Sequence, residues 1–323
     1  MRREGRMIFA ACVVGSLCVA FLTVRQAGAQ GQGVPEKTLG APREWREVAV
    51  RVDRMLSDRK FAEARAICQQ GYDSATDDES RALFLRGVAE TYKEEHVFDR
   101  GIEVFLQVIE RFPHSAQVSW AKAGVAECYY YKAKYFRQVK ENAPIFIALL
   151  EQFVREYPGH ERIAGALFVL GWGYEQLGDE AAAVARYERA VNLYPTYLWA
   201  DQCFDQLIAL HQEAQRWDAA IATARRYLAC LPNKNPAAAQ LSIGNSYMGK
   251  GDLPSATGEF EKTVARYPQA SAECAVALLQ KARCQATVGS VADARATLER
   301  LLKAYPSSNV AAEAKAALAE LPE

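Results

Sequence analysis

A proline that follows an aromatic residue or leucine recurs at nearly regular intervals through this chain, and this period constrains the fold more than any other feature. Successive spacings are 45, 37, 37, 36 and 38 residues. The six prolines are Pro113, Pro158, Pro195, Pro232, Pro268 and Pro306. A period of this length is typical of proteins in which one supersecondary unit stacks on copies of itself. The sequence therefore predicts a repeat architecture.

The segment from Ala166 to Pro195 shows the repeating unit most clearly. The apolar residues of its first half follow the three- and four-residue steps of an amphipathic helix. Gly178-Asp179 then ends this helix, because glycine tolerates a left-handed cap and aspartate can cap the next helix. Pro195 ends the second helix, because proline lacks the amide hydrogen and disfavours helix at the preceding residue. Each unit is predicted to be a pair of antiparallel helices.

The small and large residues of this unit match the consensus positions of a known repeat. They are Leu170, Gly171, Tyr174, Ala183, Tyr187, Ala190 and Pro195. At these residues the chain resembles the tetratricopeptide repeat (TPR) family. The resemblance implies an all-α, right-handed superhelical solenoid of about seven helix pairs with a C-terminal capping helix. It is nearly silent on activity, because a fold does not fix a function.

The units are two to four residues longer than the usual TPR, and Tyr-Pro is followed by a polar residue and an Ala-rich helix. In these features the chain is similar to a bacterial envelope subgroup. That subgroup includes the TPR component of outer-membrane β-barrel assembly and the periplasmic TPR partner of the Tol–Pal system.

The period also divides residues 43–323 into repeats. The predicted units are about 43–76, 77–113, 114–158, 159–195, 196–232, 233–268 and 269–306, with a cap over 307–321. The third unit carries about eight extra residues. We expect them to lengthen its first helix by about two turns.

The N-terminus reads as an export signal. Arg2, Arg3 and Arg6 precede an apolar run that starts at Met7, and small residues end at Ala29. Cleavage is predicted after Ala29, which leaves a flexible lead-in over residues 30–42 and a periplasmic protein. The alternative is an uncleaved inner-membrane anchor, because an apolar run of 18 residues is just long enough to span a bilayer.

Charge and cysteine content limit the function classes. Residues 30–323 carry 35 basic and 38 acidic residues, which weighs against a nucleic-acid partner and against adhesion to anionic lipid. A Cys203–Cys230 disulfide is one candidate; the alternative is that the cysteines pack as small apolar residues. No Cys-x-x-Cys occurs, the four histidines are scattered, and no glycine-rich phosphate loop is present. We expect no enzyme activity, cofactor or metal.

Candidate binding residues concentrate around the insertion. Residues 128–144 hold five aromatic residues among four cations, more than one core stripe needs. The alternative is that three of them pack on the neighbouring repeat and the cations are solvated. In TPR proteins the first helices line the concave face, and the resemblance therefore implies a set of partner-binding residues. They are Trp120, Glu127, Tyr130 and Tyr131 in the third unit, and Phe168, Trp172 and Glu175 in the fourth. The aromatic stretch itself adds Tyr135 to these candidates.

The sequence thus favours a non-enzymatic protein–protein scaffold of the bacterial cell envelope. It would bind an extended peptide or a partner helix in the concave groove, and envelope or outer-membrane assembly is the first candidate process. One alternative is a glycan or small-molecule binding protein with an aromatic concave face. The other is a membrane-anchored adaptor of a secretion or division complex.

Overall fold

A computed structural model describes residues 43–322, and these residues form fifteen α-helices and no strand. The predicted all-α class is confirmed. Seven helix pairs and one final helix follow one another along the chain. The predicted signal segment and lead-in lie outside the described residues. Within residues 43–322, no helix combines the length and the apolar character that crossing a membrane requires.

The chain divides into two compact units, Met1–Arg162 and Ile163–Glu323. The first unit holds α1 (Arg43–Ser57), α2 (Phe61–Ser74), α3 (Asp78–Glu94), α4 (Phe98–Arg111), α5 (Gln117–Tyr135) and α6 (Val139–Glu156). Each helix packs mainly on the next one along the chain, and α3 also contacts α5. A core of buried apolar residues lies between α3, α4 and α5 and is centred on Phe105 and Val108.

The second unit continues the same pattern. It holds α7 (Ile163–Leu177), α8 (Glu180–Leu193), α9 (Ala200–Glu213), α10 (Trp217–Cys230), α11 (Pro236–Lys250), α12 (Leu253–Arg266), α13 (Ser271–Thr287), α14 (Val291–Ala304) and α15 (Ala311–Glu320). Neighbours in sequence are neighbours in space, and α11 also contacts α13. The short α15 packs on α14, where the sequence predicts a cap.

Local sequence explains the close helix pairs. Gly171 on α7 faces the ring of Tyr187 on α8, and a Cβ atom added at Gly171 would lie 2.5 Å from that ring. A larger residue would therefore separate the two helices, because a packed core has no room for extra atoms. Gly178 adopts a φ of 82° after α7, and the Asp179 side chain accepts a hydrogen bond of 3.0 Å from the Ala182 amide. The predicted turn chemistry is present.

The insertion is shared between two helices. α5 has 19 residues and α6 has 18, whereas α7 and α8 of the following pair have 15 and 14. Each helix of the third pair is therefore about one turn longer. The expectation that both turns fall in the first helix is wrong, because the second helix accommodates half of them.

The cysteines do not pair. All six cysteines in the described part of the chain are free, and Cys203 is buried while Cys230 is half-buried. The candidate Cys203–Cys230 disulfide is therefore not formed in the structure. Cys203 is 2 % exposed, which agrees with the alternative interpretation of a small apolar residue between helices.

Candidate functional site

A ring of four charged side chains joins α3, α5 and the last residue of the first unit. Lys93 Nζ lies 2.6 Å from Glu90 Oε2 and 2.6 Å from Glu127 Oε2. Arg162 closes the ring, with Nη1 2.8 Å from Glu127 Oε1 and Nη2 3.2 Å from Glu90 Oε1. The side chains of Glu90 and Lys93 are 0 % exposed, that of Arg162 is 7 % exposed and that of Glu127 is 21 % exposed. We call these four residues the charge ring.

Mutual attraction keeps the charge ring ionised despite its burial. Burial alone would raise the pKa of the Glu90 carboxyl, but Lys93, Arg162 and Arg86 outweigh burial and lower this pKa. Burial would likewise lower the pKa of the Lys93 ammonium, but Glu127 and Glu90 raise it above its ordinary value. Each charge of the ring is therefore compensated by the other side chains of the ring, inside the first unit.

Trp120 packs against two arginine side chains, one of which belongs to the charge ring. The guanidinium of Arg86 is 5.1 Å from the Trp120 ring centroid, and that of Arg162 is 4.7 Å away. The imidazole of His160 meets the indole edge-on at 4.7 Å. Burial, together with Arg162 and Arg86, lowers the pKa of His160 to about 4, so His160 is neutral at pH 7.

Three of the predicted binding residues are thus engaged in internal contacts. Trp120 packs on two guanidinium groups, and Glu127 completes the charge ring. Tyr130 is 6 % exposed and packs edge-on against Phe146 at 5.9 Å. Their assignment to partner binding stays a prediction, and a partner would meet at most the partly exposed edges of Trp120 and Glu127.

The structure gathers Tyr131 and Tyr135 into a group of five aromatic side chains. This aromatic cluster comprises His96, Phe98, Tyr131, Tyr135 and Phe136, from the turn between α3 and α4 and from the end of α5. The His96 and Tyr135 rings stack with centroids 4.7 Å apart, and Tyr131 and Tyr135 stack at 5.8 Å. Phe98 is buried beneath them, 6.0 Å from Tyr131 and 5.7 Å from Phe136. Tyr131, Tyr135 and Phe136 thus all contact Phe98 of the preceding helix pair, as the alternative interpretation expects, and partner binding by Tyr131 and Tyr135 stays a prediction.

The outer members of the aromatic cluster reach solvent. Phe136 is 55 % exposed, Tyr135 is 37 % exposed, and the adjacent Val97 is 41 % exposed. Both His96 and Arg137 adopt positive φ angles, 65° and 57°, which few residues other than glycine do. Two unusual backbone turns therefore border these rings.

In the second unit, the predicted residues lie on α7. Phe168 is half-buried and contacts Tyr187 at 6.2 Å and Trp199 at 5.6 Å between ring centroids. Glu175 accepts a hydrogen bond of 3.1 Å from the Tyr187 hydroxyl. Trp172 is half-buried. Phe168 and Glu175 thus support the packing of α8, and partner binding by these three residues stays a prediction.

The charge ring is not predicted from the sequence, which shows only a charged stripe on α3. Arg86, Glu90 and Lys93 follow one another at four- and three-residue steps, which places them on one face of α3. A charged stripe at this spacing usually indicates a solvated face. Here Arg162 and Glu127 come from elsewhere in the unit and bury it, which no local pattern reveals.

The described residues offer no metal site. No group of three or more histidine, cysteine, aspartate or glutamate side chains in this part of the chain is placed to hold an ion. Cys68 and Cys203 are not activated, because burial raises the pKa of each thiol to about 12.

Comparisons with known proteins agree with the repeat fold. Tetratricopeptide repeat models match residues 166–197 and 241–309, so the second unit contains TPR repeats. A search of curated protein sequences found no significant match.

Solved structures with a similar fold include several repeat proteins. One is the C-terminal part of a TPR repeat-containing protein from Cytophaga hutchinsonii, with a TM-score of 0.60, 14 % identity, and coverage of 81 % of this chain and 97 % of that one. A second is Naa15/Naa10 bound to HypK, with a TM-score of 0.51, 17 % identity, and coverage of 74 % and 33 %. A third is PilW, a widely conserved type IV pilus biogenesis factor, with a TM-score of 0.50, 16 % identity, and coverage of 72 % and 98 %. At these identities the likeness shows the fold alone.

Proposed function

We propose that this protein is a non-enzymatic scaffold of the bacterial cell envelope that binds an extended peptide or a helix of a partner protein. The observation that carries the proposal is the aromatic cluster, whose Tyr135 and Phe136 reach solvent from a TPR-like framework. Exposed aromatic side chains on a rigid framework are typical centres of protein–protein interfaces. TPR proteins serve generally as interaction scaffolds, which agrees with this surface.

The envelope part of the proposal is supported by the N-terminal sequence. A basic start, an apolar run and the small residues up to Ala29 form the pattern of an exported chain. The structural likeness to PilW, a pilus biogenesis factor, is consistent with an envelope role. Envelope assembly is therefore the process to test first.

A glycan- or small-molecule-binding role, one alternative from the sequence, would require aromatic rings around a pocket. A cavity beside α14 is lined by Val291, Arg295, Glu299 and neighbouring aliphatic residues, without an aromatic ring. The aromatic cluster belongs to the first unit. No observation therefore favours this alternative over the scaffold.

Photocrosslinking in the native envelope tests the proposal. A photoreactive residue replaces Phe136, and a matched control replaces Leu106, which is 49 % exposed in the same unit but outside the aromatic cluster. We expect position 136 to capture one dominant protein that position 106 does not capture. Capture of glycan or lipid alone at position 136 would reject the scaffold function.

Fractionation and intact mass test the compartment separately. We expect the protein in the periplasmic fraction with residues 1–29 removed. A full-length chain in the inner membrane would replace the periplasmic scaffold with the anchored adaptor. A full-length chain in the cytoplasm would refute the envelope assignment.

A further inference from the structure

The aromatic cluster is bordered by cations that lack carboxylate partners. Lys134 and Arg137 flank Tyr135 and Phe136 in sequence, are exposed, and form no ion pair with any described residue. Lys134 instead donates a hydrogen bond of 3.4 Å to the Tyr130 hydroxyl. The charge of Arg59 acts on His96. Two cations therefore adjoin the exposed rings in sequence, and a third acts on the His96 ring of the same cluster.

Fewer negative charges than positive charges act on this surface. Asp99 is paired with Lys132 at 2.6 Å. Glu94 is half-buried and its charge acts on Tyr135, so this carboxylate opposes the three cations. His96 is close to neutral at pH 7, because burial and Arg59 lower its pKa. The border of the aromatic cluster is thus net positive, whereas residues 30–323 as a whole carry three more acidic than basic residues.

The aromatic rings themselves also favour a negatively charged partner. Aromatic edges carry the positive end of the ring quadrupole, and neighbouring rings here stack nearly parallel, with Phe98 and Tyr135 inclined by only 8°. Carboxylate oxygens are attracted both by such edges and by the bordering cations. The exposed Phe136 and Val97 add an apolar area that a side chain of the partner can cover.

We propose that the aromatic cluster, together with Arg59, Lys134 and Arg137, binds an acidic peptide segment that carries an aromatic or large aliphatic side chain. The apolar side chain packs on Phe136 and Tyr135, and the acidic residues that flank it meet the cations. The cations steer association and select a partner of opposite charge, whereas the aromatic rings supply most of the affinity. This inference rests on the proposed scaffold function and names the chemistry of its partner.

Selection from random peptides tests this composition without knowledge of the natural partner. A phage library of random 12-residue peptides is panned against residues 30–323 at low ionic strength. We expect the selected peptides to be enriched in Asp and Glu around an aromatic or large aliphatic residue. Their affinity should fall steeply with added salt, because the cations are exposed to solvent.

Two variants assign the selected peptides to the surface. In Y135A/F136A we expect the affinity to fall by at least about tenfold. In K134E/R137E, which alters exposed charges and removes no ring, we expect acidic peptides to be lost and basic peptides to be selected instead. The double variant L177A/L193A, which removes two exposed apolar side chains of the second unit, serves as the control and should bind as the wild type does. Circular dichroism verifies that each variant retains its helical content.

Each other outcome rejects the inference in a distinct way. Acidic peptides that bind Y135A/F136A equally well would leave the scaffold function intact and place the site elsewhere. Enrichment of basic or uncharged peptides would refute the proposed chemistry. Failure to select any peptide, together with binding to vesicles of phosphatidylglycerol that Y135A/F136A abolishes, would assign the surface to a membrane and overturn both the inference and the scaffold function.

Discussion

Replacement of Glu90 by glutamine tests whether the charge ring is as buried and as compensated as the structure indicates. Glu90 is 0 % exposed and lies 2.6 Å from Lys93 Nζ and 3.2 Å from Arg162 Nη2. Glutamine preserves the shape but removes the negative charge, so Lys93 and Arg162 keep only Glu127 as a carboxylate partner. Removal of one partner of a buried ion pair costs about 3–5 kcal/mol. One amide hydrogen bond to Lys93 can recover about 1 kcal/mol, so we expect a loss of about 3 kcal/mol.

A double-mutant cycle separates the pair from the rest of the ring. When Lys93 is already replaced by methionine, the Glu90 carboxylate interacts only with Arg162 and Arg86. The loss of stability caused by Glu90→Gln should therefore be smaller in this background. We expect a coupling free energy of about 1–3 kcal/mol between positions 90 and 93. The matched control is Glu103→Gln, whose partner Arg100 lies at the same 2.6 Å, with side chains 55 % and 65 % exposed. This exposed pair should contribute far less to stability than the buried pair, because solvent screens its charges.

Urea unfolding and hydrogen exchange provide the measurement. Urea unfolding gives the global free energy of unfolding, and exchange of the α3 and α5 amides gives the local free energy of opening. The loss caused by Glu90→Gln should be constant above about pH 5 and should shrink below about pH 4. The reason is that the folded-state pKa of Glu90 lies below its unfolded value, so its stabilisation is lost as pH falls through the folded-state pKa. A cost equal to that of Glu103→Gln, or no coupling to Lys93, would refute the buried ring.

Three further predictions follow from single sites. As the pH falls from 6.5 to about 4, wild type should lose more stability in urea titrations than His160→Gln does. The reason is that the folded-state pKa of His160 is about 4, so the unfolded chain takes up the proton at a higher pH than the folded chain. His114→Gln, at an exposed position, is the control. Gly171→Ala should cost about 1–3 kcal/mol by thermal unfolding, because its Cβ would meet the Tyr187 ring, whereas Gly258→Ala, with open space around it, should stabilise by about 0.5–1 kcal/mol. The five buried cysteines of residues 43–322 should react with a thiol reagent only after unfolding, and prompt reaction of all six thiols would contradict their burial.

The repeat period revealed the fold because its determinants are local. Pro195 follows the end of α8, Gly178 adopts a left-handed conformation after α7, and Gly171 makes room for the Tyr187 ring. All three positions lie within one helix pair. Such positions depend on residues fewer than twenty apart in sequence. A sequence pattern therefore reports them directly, and the helix pairs were predictable.

The candidate site was only partly predictable because it depends on contacts between repeats. Tyr131 and Tyr135 were recognised as excess aromatics, but their partners His96 and Phe98 come from the preceding helix pair. Arg162 reaches Glu90 across 72 residues of sequence. Nothing local distinguishes such a buried charge from a solvated one, so the sequence predicts partner binding by Glu127 and does not reveal its place in the charge ring.

The charge ring and the aromatic cluster share the same two helices, and this connection yields a final prediction. Lys93 lies three residues before His96, and Glu127 lies one turn before Tyr131 and two turns before Tyr135. The ring therefore fixes the end of α3 against α5, where the two halves of the aromatic cluster meet. A binding surface held in place loses less entropy when a partner binds.

Glu90→Gln should therefore weaken binding of the selected acidic peptides about two- to tenfold without altering any residue of the aromatic cluster, because its two halves must be ordered during binding. Fluorescence anisotropy with a labelled peptide measures the change, and Glu103→Gln controls for the loss of one negative charge. If Glu90→Gln loosens α3 and α5 by hydrogen exchange and leaves the affinity unchanged, the ring supports the fold alone. The surface would then depend only on the stacking of His96, Phe98, Tyr131 and Tyr135 for its order.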